Sequence, residues 1–278
     1  MRLVWLVFLS AALASACSSS SSSSGTGGSG GTAGTGGGGG AGTGGVGGTP
    51  GIAYPLLDCD PLVPEYCGFP FPSNVYTVDD PTTATGRRVR FGETFLRGNA
   101  STPWDYSDGF SAGTPIMTQI TGATGEEFGG PENIEQSLSP DSPSLLLEAE
   151  TGELVPHFAE VDVQARTRDE QAVMIRPTVR LRDDARYIVA FRGLKDDSGN
   201  VIEPTDTFAA LRDGVSSEEE SIEARRPLYD DIFARIEDAG WSRDEVQIAW
   251  DFNTASDDNN TRWLLHMRDT AFELIEAD

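Results

Sequence analysis

The chain has 278 residues, a net charge of −24 and a hydrophobic fraction of 38%. Arg2 is the only charged residue before Ala53, so the rest of the chain carries −25. Such acidity excludes nucleic acid and anionic lipid headgroups as direct partners, because both would be repelled.

The first sixteen residues, MRLVWLVFLSAALASA, combine one positive charge, an apolar stretch and a small-residue end. That is the pattern of a secretory signal peptide, and it is too short for a membrane span. The sequence LASAC resembles a bacterial lipobox, although Ala14 stands where leucine is usual and Leu13 is one place further back. The resemblance implies that Cys17 becomes the lipidated first residue of an exported lipoprotein. Ser18 after it implies the outer membrane. An ordinary secretory signal cleaved nearby is the alternative. Residues 18–51 are serine, then glycine with threonine and alanine, and little else. They contain almost nothing to offset the entropy of ordering, so residues 17–52 read as a lipidated cysteine and a disordered tether with an r.m.s. span of roughly 30–35 Å.

The 226 residues from Ala53 onward suffice for one large domain or two small ones. Prolines at 55, 61, 64, 70 and 72 forbid a helix there and predict an extended strap, with Phe69 and Phe71 as anchors. Cys59 and Cys67 stand eight apart, and export favours a disulfide between them over free thiols. A zinc site needs more ligands than this pair, and His157 and His266 are far away in sequence. No metal or cofactor is expected.

Short alternating segments follow at 87–92, 115–120, 144–150, 154–163, 171–179 and 186–194, separated by turn signals. They predict an antiparallel Ig-like β-sandwich over 53–213. DDSGN (196–200) lacks the spacing of a calcium loop and reads as a hairpin turn. Residues 214–278 read as a helical segment with one strand. Serine caps and glutamates open a helix, and Pro227 starts a second one carrying Tyr229, Ile232, Phe233 and Ile236. SRDE (242–245) has capping-box spacing, and VQIAWDF (246–252) alternates as a strand. DDNN (257–260) is the loop before a last helix with Trp263, Leu264, Met267, Ala271 and Leu274 on one face. Trp241, Trp250 and Trp263 are candidates for aromatic core packing or a ligand groove.

GFSAG (109–113) matches G-x-S-x-G, the nucleophile elbow of serine hydrolases, but so does GGSGG (27–31) in the glycine tract. An elbow needs a buried strand before the serine and a helix after it. The preceding NASTPWDYSDGF is polar and aromatic, and Pro115 blocks a following helix. His157 reads as a structural histidine beside a strand, and His266 as an exposed helix residue. Ser111 is therefore expected to be structural, Phe110 to be buried and Pro115 to open a strand.

FPFPSNVYT (69–77), DGFSAGTPI (108–116), the stretch 174–204 containing YIVAFRGLKDDSGN, and WDFNTAS (250–256) together resemble the N-terminal, β-rich, non-catalytic region of bacterial extracellular or virulence-factor lipase lipoproteins. Members continue after the corresponding helix into an α/β-hydrolase domain with its own Ser-Asp-His set, whereas this sequence stops at Asp278. The resemblance implies a surface-anchored module without an active site of its own, either truncated or stand-alone. Its partners would be the membrane through Cys17 and a hydrolase domain or surface ligand. A stand-alone carbohydrate- or protein-binding lipoprotein and a serine hydrolase using Ser111 are the alternatives.

Overall fold

The computed structural model describes residues 52–92 and 103–276. The signal peptide, Cys17 and the Gly/Ser tether up to Gly51 lie outside the described residues. The described residues belong to one compact unit.

The described residues are mostly β, with eight strands in three antiparallel sheets and three α-helices. A two-stranded ribbon pairs β1 (Thr77–Asp79) with β2 (Arg87–Val89). A three-stranded sheet has the order β3 (Ile116–Gln119), β6 (Ala172–Pro177), β5 (His157–Val161). The other has the order β4 (Ser144–Glu148), β7 (Arg186–Arg192), β8 (Val246–Asn253). The apolar runs Leu145–Leu147 and Tyr187–Phe191 leave this second sheet covered on both faces, as a continuous run rather than an alternation requires. The strand expected within 214–278, β8, is thus hydrogen-bonded to β7 of the segment 53–213, with Val189 opposite Trp250.

Two of the three helices cover one face of that sheet. Nothing in the sequence reading assigns α1 (Asp206–Asp213), whose signals are a Thr205 side-chain cap on Phe208 N–H and Gly214 in the left-handed region at φ 69°. The helix α2 is one continuous element, Ser221–Asp238, rather than two. Pro227 sits inside it on the exposed side, while Ile222, Arg225, Tyr229, Ile232 and Ile236 form an unbroken buried face across it. Burial of that face outweighs the one missing N–H, and Glu223, whose carbonyl it would have served, is an exposed residue. The opening serines do not cap it: Ser217 Oγ accepts from Glu219 N–H at 3.1 Å ahead of the helix, and Glu220 occupies the cap position. SRDE gives a short 3-10 turn, Arg243–Glu245, without a side-chain cap.

The last helix, α3 (Asp257–Glu276), starts earlier than expected, so DDNN forms its first turn instead of a loop. The Ser256 hydroxyl caps it by accepting from Asn259 N–H. None of its residues is buried, so Trp263 lies on the surface at 62% exposure while Trp241 and Trp250 are core.

The strap lies across the fold and is pinned by the disulfide Cys59–Cys67. Phe71 pairs with Met117, and Trp250 Nε1–H donates to the Pro72 carbonyl at 2.8 Å. The disulfide loop presents Asp60, fully buried, to Arg225 of α2 as a two-pronged pair at 2.8 and 3.1 Å. Burial pulls the Arg225 pKa down, but the Asp60 carboxylate more than offsets this and the guanidinium is held above its ordinary value. Removing one partner of such a pair strands a charge in the interior. Asp60→Asn is expected to lose about 3–5 kcal/mol in urea denaturation, and adding Arg225→Met to restore a large part of it. A single-variant loss below about 1 kcal/mol would place the pair among ordinary surface ion pairs.

Candidate functional site

The four stretches that carry the lipase-leader resemblance are distant in sequence, and they meet at the end of β8. Asn74 and Asn253 bond reciprocally: Asn74 Nδ2 donates to Asn253 Oδ1 at 2.8 Å, and Asn253 N–H to Asn74 Oδ1 at 3.0 Å. Thr254 Oγ1 donates to the Arg182 carbonyl at 2.6 Å and accepts from Ala185 N–H at 3.0 Å. The DGF segment lies parallel to Asn253–Ala255, with Phe110 N–H donating to Asn253 O at 2.9 Å and Ala255 N–H to Phe110 O at 2.8 Å. The Asp108 carboxylate accepts from Ser256 N–H and Oγ–H at 3.0 and 2.6 Å. This places an anion at the start of α3, where the helix dipole favours it.

These contacts give GFSAG a backbone role. A Cβ on Gly109 would lie 2.6 Å from Thr254 and Ala255 backbone atoms, so glycine is required for the close approach. The Phe110 ring is buried and packs edge-on against Phe71 at 5.5 Å. Ser111 is exposed, and its Oγ accepts from Gly113 N–H at 3.3 Å in a local turn. Pro115 precedes β3, with no helix there.

Ser111 nevertheless borders a cavity of about 400 Å³. Phe71, Phe91, Trp104 and Phe110 form its aromatic walls, and Asn259 and Asn260 of α3 close one side. Among the described residues, its lining contains neither a histidine nor a charged side chain. Among the described lining residues, Ser111 has no base to take its proton and no cation to stabilise an oxyanion. The chemistry available is apolar contact with uncharged hydrogen-bonding groups at the rim.

A serine–histidine pair does exist elsewhere, and no motif announces it. His157, at the start of β5, has Nδ1 2.8 Å from the Val155 carbonyl and Nε2 2.9 Å from Ser144 Oγ on β4. A carbonyl only accepts, so Nδ1 carries the hydrogen and Nε2 receives the Ser144 hydroxyl. This is the hydrogen bond of a nucleophile pair with a carbonyl in place of the carboxylate. The space beside it is about 10 Å³, room for about one water and not for a substrate. Ser144 and His157 are 4% and 1% exposed. Their role is to satisfy one another between two strands. His266, by contrast, lies on exposed α3.

Among the described residues no group of His, Cys, Asp and Glu is arranged to hold a metal ion, and no helix is long and apolar enough to cross a membrane. An open groove of about 840 Å³ near Arg192 and Arg212 carries both signs of charge. Its arginines are already paired with Glu245 and Asp213.

Burial pushes the His157 pKa down to about 4, against the opposing pull of its bond to Val155. The folded value lies below the unfolded value near 6.5, so this contribution to stability is complete above pH 6.5 and is lost as pH falls through 4. The loss amounts to roughly 3 kcal/mol once the ring is charged. Nitrogen-detected NMR should show a neutral Nδ1–H ring at pH 5, and a titration midpoint at or above 6 would contradict this environment.

Within GFSAG, Gly109→Ala should cost about 1–3 kcal/mol through overpacking, whereas Ser111→Ala should stay within about 0.5 kcal/mol of wild type. Urea denaturation measures both, and the reverse order would refute the backbone role.

Among known proteins, the chain matches no family model, no curated protein and no solved structure.

Proposed function

We propose that the chain is an exported lipoprotein, anchored in the outer membrane through Cys17. It acts as the non-catalytic module of a lipase- or esterase-like protein, and its β-rich part is a relative of Ig-like sandwiches. The observation that carries the non-catalytic reading is the setting of Ser111. Its hydroxyl is engaged in its own turn, and among the described residues no base or cation lines the cavity beside it. The convergence of the four resembling stretches at the end of β8 supports the family reading, because independent coincidences would have no reason to meet in space. Two three-stranded antiparallel sheets contributing to one hydrophobic cluster support the sandwich relationship. The Gly/Ser tract gives a lipid anchor the reach to hold an acidic body off a surface.

A second reading, a stand-alone carbohydrate-binding lipoprotein, is favoured by one feature. Trp104 is 53% exposed at a cavity whose described rim has amides and hydroxyls but no charge. A sugar ring stacks on such a surface and its hydroxyls find neutral partners. Quenching of tryptophan fluorescence by neutral oligosaccharides, absent in Trp104→Ala, would establish it.

Labelled palmitate should enter the wild type and not Cys17→Ala, while a fluorophosphonate probe should leave Ser111 unmodified. Equal palmitate labelling of both chains would remove the anchor. Stoichiometric modification of Ser111, with esterase turnover lost in Ser111→Ala, would make the chain a hydrolase.

A further inference from the structure

Among the described residues, seven large apolar side chains stand exposed on α3. The helix's hydrogen bonds to the body, among the described residues, lie near its start: the Ser256–Asp108 cap, Asn260 Nδ2–Asp183 at 2.9 Å and Arg262 Nη2–Tyr106 O at 3.0 Å. Beyond Arg262, Trp263, Leu264, Met267, Leu274 and Ile275 are 61–71% exposed. An exposed stripe of this kind marks an interaction surface.

Its pattern specifies the shape of what covers it. Leu264, Met267, Ala271 and Leu274 follow one another at spacings of three, four and three, the a/d seam of paired helices. Trp263 and Ile275 flank the seam, and small Ala271 near its middle permits close approach. The chain carries −24, yet Asp269, Glu273 and Glu276 all fall on the opposite face of the helix, which they share with the exposed Leu265 and Phe272. A lipid surface fits poorly, because interfacial helices carry Lys and Arg on their polar face and this one carries mostly acid.

The geometry points to a second copy of this chain as the occupant, with two α3 helices packed antiparallel along the 264–274 seam. The stripe matches itself, and the acids on the back of each helix do not enter the contact. Packing along the seam buries part of this exposed stripe on each copy, an interface at the small end of specific ones and so of micromolar rather than tighter affinity. Antiparallel packing follows from charge. Each strongly acidic body is joined at the N-terminal end of its helix, so a parallel pair would bring the two bodies together. An antiparallel pair of 20-residue helices holds them at opposite ends of a rod about 30 Å long. That exceeds a Debye length of ~8 Å at physiological ionic strength. Opposed helix dipoles favour the same direction. The inference concerns α3 alone and does not depend on the lipid anchor or on the absence of catalysis.

The test uses the exported Cys17→Ala chain, so that lipid cannot cause association. Sedimentation equilibrium should give a monomer–dimer equilibrium in the micromolar range. Leu264→Lys and Met267→Lys should each raise the dissociation constant at least about tenfold. Both should melt like wild type, because neither side chain belongs to the core. Mixing Met267→Cys chains with Ala271→Cys chains should yield the mixed disulfide dimer in preference to either self-linked one. A chain that stays monomeric at ~100 µM, far above a micromolar dissociation constant, would overturn the proposal. So would a dimer indifferent to both lysine variants, preferential self-linking of Ala271→Cys, or a monomer that floats with phosphatidylcholine vesicles through this stripe.

Discussion

β8 has no solvent-facing residue along its whole length, yet it carries Gln247, Asp251 and Asn253. A buried polar group without a partner costs more than a hydrogen bond is worth, so each of these side chains dictates what must stand beside it. Gln247 takes Leu194 N–H at 2.8 Å and donates to the Leu194 and Ile202 carbonyls. Asp251 takes Arg186 Nε at 2.5 Å and the Tyr54 hydroxyl at 2.6 Å, and Arg186 reaches on to Asp231 of α2. Asn253 takes Asn74. The chain between β7 and α1, the helix α2, the start of the strap and its far end are each held to one strand. β8 comes late in the sequence, so much of the fold closes only once it is in place.

That constraint gives a physical meaning to the use of arginine for nineteen of the twenty basic residues. A planar fork can serve two acceptors in fixed directions and stack on a ring, which an ammonium cannot do as well. Arg225 grips both oxygens of Asp60, Arg186 bridges two aspartates, and Arg235 reaches both Asp231 and the Ala149 carbonyl. Arg87 lies over the Tyr54 ring at 4.2 Å and Arg192 over Trp241 at 4.0 Å. The few positive charges of an acidic protein are spent largely on internal joints.

The two serines show how pattern and chemistry separate. Ser111 sits in a hydrolase pattern whose glycine and phenylalanine serve the backbone, pressing one loop against the end of β8. Ser144 sits in no pattern and makes the hydrogen bond to histidine that a nucleophile would need, in a space that admits only water. Periodicity and motif spacing describe neighbours along the chain. Neither reports a base brought in from another strand or the volume left around it.

The sequence by itself determined the strands, the strap and the turns, because these follow from local covalent facts. Alternating side chains, proline without an N–H, and glycine or asparagine at tight turns act within a few residues of themselves. All seven strands read beyond the strap begin within three residues of the segment expected for them, while the two-stranded ribbon has a first strand, β1, that no periodicity marked. Only the tertiary structure decided the sheet partition, the continuity of α2 through Pro227 and the surface position of α3. Pro227 looks like a helix start until a buried face is seen to run past it. The seam of α3 looks like a core face, since an amphipathic helix encodes only that one side is apolar. What meets that side depends on the rest of the fold, and here the body is already closed by α1, α2 and the strap.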